Sequence, residues 1–399
     1  MISFKPFKST YLFLFLLLNF QLISYAQSSE LKIETAAART GLYVNLLKGK
    51  NIAVVANQTS VIFKEIYKKK QEARHLVDSL LTLGIEVKKV FAPEHGFRGK
   101  ADAGEVVKDG FDTKTGLQII SLYGKNKKPS ATQLKGIDIV VFDIQDVGAR
   151  FYTYISSLHY VMEACAEAGI QVIILDRPNP NSHYIDGPVL KAKHNSFVGM
   201  HKVPVVYGMT IGEYGKMING EKWLKNGIQC DLKVIPLKNY NHQTKYSLPI
   251  KPSPNLPNDK SINLYPSLCF FEGTNVSAGR GTEMQFQVYG SPYITKSSFT
   301  FTPQANEGSK YPKYKNQRCF GEDLRIAKNL NKLDLSYLLK AYQQNTSKKF
   351  FNTFFTKLAG TERLQEQIEQ GLSEKEIRKT WVQDIISFKK IRKKYLLYK

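Results

Sequence analysis

Six polar side chains crowd together where an apolar run gives out. Ile137–Ile155 reads IDIVVFDIQDVGARFYTYI, and its hydrophobic stretch ends in Asp143, Gln145, Asp146, Arg150, Tyr152 and Tyr154. Two carboxylates, an amide, a guanidinium and two phenols at one strand end are either a solvated turn with an internal Asp–Arg pair or part of a binding site. The pattern recurs. Asn51–Ala56 runs into Asn57-Gln58-Thr59, Val87–Ala92 into Pro93-Glu94-His95-Gly96-Phe97-Arg98-Gly99, and Ile170–Leu175 into Asp176-Arg177-Pro178-Asn179-Pro180. A mixture of carboxylates, amides, arginines and aromatics suits carbohydrate. Hydroxyls take bidentate polar partners, sugar faces take aromatic platforms, and glycosidic cleavage needs carboxyl groups.

Other chemistries fit poorly. The first strand lacks the Gly-x-Gly-x-x-Gly turn, Gly279-Arg280-Gly281-Thr282 lacks the Gly-Lys-Ser/Thr ending of a phosphate loop, and there is no Gly-x-Ser-x-Gly elbow. Asp143, Asp146, His95 and Asp176 are metal-ligating types without the tight spacing of a dedicated site, so neither metal nor cofactor is expected.

The elements that must position these residues alternate. Short apolar runs at Asn51–Ala56, Val87–Ala92, Leu117–Leu122, Ile137–Phe142 and Ile170–Leu175 are interleaved with helical patterns at Glu72–Leu83, ended by Gly84, and Ser157–Ala168, stopped by Gly169. That order predicts an α/β fold, a mostly parallel sheet with helices on both faces, whose ligands sit beyond the strands' carboxyl ends. Every polar cluster named above falls on that edge. After a strand-like Cys230–Leu237, the Pro-rich Lys251–Asn258 reads as a rigid loop. Glu272–Glu283, with three glycines, is either a backbone shaped for close approach or an ordinary turn. Ser373 with Glu376 forms a capping box opening a helix.

Lys5 and Lys8 precede the apolar run Tyr11–Phe20, and Ser24-Tyr25-Ala26 offers a cleavage site, the layout of a secretory leader. Residues 1–26 are therefore expected to be removed, placing the mature chain in the periplasm or outside, with no stable membrane insertion. Cys165, Cys230, Cys269 and Cys319 are widely separated and indicate neither a zinc site nor a disulfide framework. The formal charge of +23 favours anionic partners, with nucleic acid the weakest for an exported protein, or simply keeps the surface soluble.

Six ordered motifs carry a resemblance: FAPEHGFRG (91–99), VFDIQDVGARFYTY (141–154), LDRPNP (175–180), GMTIGEY (208–214), PSPNLPN (252–258) and EGTNVSAGRGTE (272–283). Together they resemble the bacterial exo-β-N-acetylmuramidases of the NamZ type, from about Thr40 to the closing TWVQDIISFKKIRKKYLLY. The resemblance implies a Rossmann-like domain (27–240) and a smaller α+β C-terminal domain (241–399) closing a cleft. It also implies release of N-acetylmuramic acid from the non-reducing end of peptidoglycan fragments. The motif match puts Glu94 in the acid/base position, with His95 beside it to hold the proton or tune the carboxyl group. Asp143 and Asp146 are the candidates for a second catalytic carboxylate, unless the substrate's acetamido group takes that role. Arg150, Arg177 and Arg280 are candidates for the lactyl carboxylate, and Tyr152 and Tyr154 for stacking or hydroxyl contacts. Asn57, Arg98, Gln145, Asn179, Glu272 and Asn275 complete the expected sugar contacts. The sequence departs from the family at Glu283-Met284-Gln285-Phe286, where a Pro-Phe pair is common. Two rival readings are a metal-dependent phosphatase built on Asp143, which has Gln145 where a second Asp is wanted, and a non-catalytic muropeptide-binding protein.

Overall fold

The computed structural model describes residues 32–66, 70–98 and 109–398, with the side chains of 64–66 and 70–72 left aside. The leader read at residues 1–26 and Gly99 lie outside the described residues. Glu34–Lys399 form one compact unit.

The apolar runs are too short for helices. They pair as β1 (Ile52–Ala56), β4 (Val87–Ala92), β6 (Gln118–Ser121), β7 (Ile139–Asp143), β8 (Gln171–Leu175) and β9 (Leu232–Ile235), with β2 (Val61–Ile66) and β3 (Lys70–His75) forming a separate hairpin and β5 (Gly110–Phe111) a short edge. The sheet order is β5-β6-β4-β1-β7-β8-β9. Every pairing in it is parallel except β5 with β6. Val54 of β1 lies between Val90 of β4 and Val141 of β7.

Because side chains alternate along a strand, each strand contributes to two cores. Ile52, Val54 and Ala56 face one core with Val90, Val141 and Ile173. It is covered by Ala36, Tyr43 and Leu47 and by α1 (Leu76–Thr82). Ala53, Val55, Phe142 and Ile174 face the other, covered by α2 (Tyr154–Ala168) and α3 (Ile211–Gly220). Gly169 closes α2 at φ 67°, the left-handed cap that glycine adopts without strain.

One expectation is corrected. Glu72–His75 is not the first turn of a helix; it pairs antiparallel with β2, Val61 opposite His75, and the helix begins at Leu76. His75 ends the strand and caps the helix, its Nδ1 accepting from the Val77 amide at 3.3 Å. Strand pairing outweighs helical periodicity in this stretch.

The C-terminal part is the smaller α+β domain. It carries an antiparallel sheet of β10 (Val288–Ser291), β12 (Cys319–Asp323) and β11 (Phe299–Phe301), with β12 in the middle. Around it lie α4 (Asp259–Leu268), α5 (Ser336–Gln344), α6 (Phe355–Ala359), α7 (Arg363–Glu369), α8 (Glu374–Lys379) and α9 (Val382–Lys393). α8 opens with the expected capping box of Ser373 and Glu376. The core on the α2 side continues without a break into Phe270, Phe271, Phe355, Trp381 and Phe388. Among the described residues no helix is long and apolar enough to cross a membrane.

Beyond α9 the chain returns to the parallel sheet. Glu213 Oε1 accepts from the amides of Leu397 and Tyr398 at 2.8 and 3.3 Å. The Tyr398 hydroxyl donates to Asp176 Oδ2 at 2.5 Å and accepts from the Leu237 amide at 2.9 Å. Tyr398→Phe leaves a buried amide and a carboxylate oxygen each short of a partner. It is expected to cost about 1–3 kcal/mol in chemical denaturation; an unchanged midpoint would show that the tail contributes nothing to stability.

Candidate active site

β1 connects on one side to β4 and on the other to β7, so the chain changes direction across the sheet here. In parallel sheets the crevice at such a point receives the ligand. At the end of β4, Glu94 is followed by His95 at φ 72° and Gly96 at φ 75°. A left-handed backbone at a non-glycine residue is strain stored at a sharp turn, and this turn presents Glu94. Thr153, at the start of α2, donates its hydroxyl to Glu94 Oε2 at 2.8 Å. The Tyr123 phenol lies beside Glu94; burial, then the Glu94 charge, holds that phenol well above its usual range. The Tyr154 hydroxyl donates to the Glu94 carbonyl at 3.4 Å and accepts from Asn57 Nδ2 at 2.9 Å.

Glu94 opens into a cavity of about 270 Å³ whose walls combine both parts of the fold. Tyr123, Phe151, Tyr152 and Thr153 come from the parallel-sheet edge, Phe197 and Val198 from a long loop, and Ser253, Asn255 and Leu256 from the Pro-rich loop. Tyr265, Glu272, Arg280, Phe286 and Phe354 come from the C-terminal part. Tyr152 is fixed edge-on to Tyr265 at 5.8 Å, with its hydroxyl donating to the Pro252 carbonyl at 2.8 Å. Glu272 is gripped by Arg280 Nε at 2.7 Å and Nη2 at 3.1 Å. Burial opposes the Arg280 charge, but Glu272 outweighs it and the guanidinium is held above its ordinary value. Arg280 lies over the ring of Phe286, centroid 5.4 Å away, itself strained at φ 52°.

Of the residues expected from sequence, Glu94, Tyr152, Glu272 and Arg280 line this cavity and the others do not. Asp143 has no exposure and meets Arg177 Nε and Nη2 at 2.6 and 2.8 Å, so the pair neutralises itself inside the fold. Asp146 accepts from Tyr207 and from the Gly148 amide. Gln145 donates to the Pro178 carbonyl at 2.6 Å, and Asn179 to the Met209 carbonyl at 2.8 Å. Arg150 is not a substrate cation. Its fork is filled by the carbonyls of Pro188, Val203, Leu358 and Ala359 at 2.8–2.9 Å, and burial pushes it down to about 9. Arg98 pairs with Asp112, Asn275 with Asn345 and the Lys349 carbonyl, and Asn57 with Thr59 and Tyr154. His95 is buried beside Glu94 and contributes the turn. Among the described residues no group of three or more His, Cys, Asp or Glu side chains is arranged to hold a metal.

Several cavity residues escaped the sequence reading. Tyr123 follows β6, a strand end not among those singled out from the sequence. Thr153 sits inside the 141–154 motif, and Ser253 and Asn255 inside the Pro-rich one, where their small polar side chains stood out less than the charges. Phe197, Phe286 and Phe354 carry no local signal.

Two carboxylates outside the cavity set a pH dependence. Burial raises Asp146 to about 6, against hydrogen bonds from Tyr207 and Gly148. Burial, with the Glu213 charge adding to it, raises Asp176 to about 7, against hydrogen bonds from Tyr398 and Thr210. Both titrate near 4 when unfolded, so between about pH 4 and 7 the native state binds more protons. Folding stability from these groups is therefore fullest below that window and falls as pH rises through it. Asp176→Asn, a neutral replacement, should flatten the fall of the melting temperature from pH 4 to 7; a slope equal to wild type would remove Asp176 from this account.

The sequence matches the family model described as exo-beta-N-acetylmuramidase NamZ, N-terminal, over residues 52–260, and the corresponding C-terminal model over 263–398. It is 36% identical to the peptidoglycan beta-N-acetylmuramidase NamZ of Bacillus subtilis (strain 168), covering 98% of this chain and 100% of that protein. Two crystal structures of DUF1343 family proteins from Bacteroides fragilis superpose on the fold. One has a TM-score of 0.83 at 46% identity, the other 0.76 at 26%, each covering 92% of this chain and 99% of the other. The chain belongs to the NamZ exo-β-N-acetylmuramidase family and is a glycoside hydrolase of that family.

Proposed function

We propose that this chain is an exported exo-β-N-acetylmuramidase that removes N-acetylmuramic acid from the non-reducing end of peptidoglycan fragments, with Glu94 delivering the proton to the leaving oxygen. The observation that carries this reading is the meeting of Glu94 with the Glu272–Arg280 pair in one aromatic-walled cavity. About 270 Å³ is close to the lower bound of ligand pockets, which supports capture of one terminal sugar rather than a passing chain. Glu94 is met by the Thr153 hydroxyl, with the Tyr123 phenol beside it, whereas Glu272 is met by a guanidinium. Two carboxyl groups in one site are what glycosidic cleavage generally uses. The leader sequence supports export.

Arg280 supports the choice of muramic acid. Its Nε and Nη2 are taken by Glu272, while Nη1 has no protein partner among the described residues. A guanidinium with one free edge in a sugar cavity suits the lactyl carboxylate. The phosphatase reading loses its nucleophile, since both Asp143 oxygens are held by Arg177.

On a chromogenic β-N-acetylmuramide, Glu94→Gln is expected to lower kcat by roughly 100- to 10,000-fold with an unchanged melting curve. Activity near wild type would take Glu94 out of the proton-donor role, and no muramide hydrolysis by the wild type would reject the reading. Arg280→Lys keeps a charge for Glu272 but loses the planar fork. It should raise KM for the muramide by about tenfold, a loss of roughly 1.4 kcal/mol, and leave any slow turnover of the matching N-acetylglucosaminide unaffected. Equal effects on both sugars would deny Arg280 the lactyl contact.

A further inference from the structure

Lys313 takes no part in the chemistry above, yet its side chain enters the turn that bears Glu272. Its Nζ donates to the carbonyls of Phe271 at 3.0 Å, Thr274 at 2.6 Å and Val276 at 3.0 Å. An ammonium has three N–H groups, and here all three are spent on one turn. The three carbonyls bracket Glu272 and converge on a single point, where without a cation their dipoles would oppose one another. The adjacent Tyr314 adds its hydroxyl to the Asn275 carbonyl at 2.7 Å, so one short segment reaches four of the six carbonyls from 271 to 276. Four residues beyond that turn, Arg280 closes back on Glu272. Gly281 makes this closure possible. It sits at φ 77°, and a Cβ there would lie 2.5 Å from the Gln304 carbonyl and 2.6 Å from the Pro312 ring, so the segment before Lys313 packs directly on the Arg280 loop.

We propose that Lys313 is a positioning residue of the active site: its ammonium gathers the three carbonyls of the 271–276 turn and so holds the Glu272–Arg280 pair where the cavity uses it, making turnover depend on that ammonium keeping its proton. The inference deepens the muramidase reading and rests on it for its kinetic test. A neutral amine keeps only two N–H groups and turns its lone pair towards a carbonyl, so deprotonation loosens the turn. The charged groups acting on Lys313 are Glu272 and Arg280, and the nearby phenol of Tyr314 is held above its usual value, mainly by burial. Burial pushes Lys313 down to about 8, with Glu272 raising it and Arg280 lowering it. Activity is therefore present below about pH 8 and lost as pH rises through it. Tyr123, Tyr152, Tyr265 and Cys269, also on the cavity, are all pushed upward by burial and do not titrate in that range.

The test is the pH profile of kcat/KM on the chromogenic muramide for the wild-type protein, Lys313→Arg and Lys313→Met. The wild type should show an alkaline limb near pH 8 whose midpoint falls on warming, as ammonium ionisation requires. Lys313→Arg donates to several carbonyls and keeps its proton, so it should retain most of the activity at pH 7 and lose the limb. Lys313→Met should lower kcat by roughly 10- to 100-fold with a smaller change in KM, as displacement of an aligned group does. A limb unchanged in Lys313→Arg, wild-type kcat in Lys313→Met, or a wild-type profile without a temperature-sensitive limb would each overturn the proposal, the last needing no variant to fold. Hydrogen exchange over residues 269–282, corrected for intrinsic rates, reads the turn without reference to activity. Protection should drop in the wild type above pH 8. Loss of protection in a wild type that cleaves no muramide would reject the muramidase reading alone; muramide cleavage with protection unchanged to pH 9 would reject the Lys313 proposal alone.

Discussion

Asp143 ends β7 in a place water does not reach, and it is tolerated there because Arg177, just past the end of β8, meets both of its oxygens. Arg177 reaches on to the Val61 carbonyl at 3.3 Å, and the Ser60 hydroxyl donates to the Asp143 carbonyl. One buried pair thereby ties together the carboxyl ends of β7 and β8 and the turn after β1. Such a pair contributes little net stability, because desolvation offsets most of the attraction, but removing either partner leaves an uncompensated charge at a cost of about 3–5 kcal/mol. Its contribution is geometric: it pins three loops to one another at the carboxyl edge of the sheet.

The remaining polar groups of that edge follow the same logic. Arg150 spends its guanidinium on four carbonyls, Gln145 on the Pro178 carbonyl and Asn179 on the Met209 carbonyl. Loops saturated by their own side chains form a rigid floor, and rigidity is what a site needs in order to hold reacting groups within a fraction of an ångström. Glu94 differs because its turn passes through a left-handed His95, and because the opposite wall belongs to another part of the chain. Another non-glycine residue with a left-handed backbone, Phe286, lies on that wall beneath Arg280. Backbone strain thus occurs on both sides of the cavity, each time beside a charged group that faces it.

Much of the fold was legible. Strand runs at β1, β7 and β8 appear in the sequence because both faces of a parallel strand are buried, which leaves a continuous apolar stretch, while β4 shows through its buried end Val90–Ala92. α2 shows its end through Gly169 and α8 its start through Ser373 and Glu376, since caps are local chemistry. The hairpin strand at Lys70–His75 was not legible, because its partner strand rather than its own pattern decides it. The prominence of Asp143–Tyr154 was real, but most of its polar groups turn out to build the floor, and Phe151, Tyr152 and Thr153 are its contributions to the cavity.

The sequence alone determined the parallel sheet, the edge on which polar residues gather, and the residue types available for sugar chemistry, because periodicity and residue type act over a few neighbours. Only the tertiary structure decided that Glu94 shares a cavity with Glu272, that Arg280 rather than Arg150 or Arg177 lines it, and that Lys313 braces the opposite wall. Each of these depends on which buried donor finds which acceptor. Burial forces nearly every such group to be paired, and the partner is chosen by proximity in space, about which spacing along the chain carries no information.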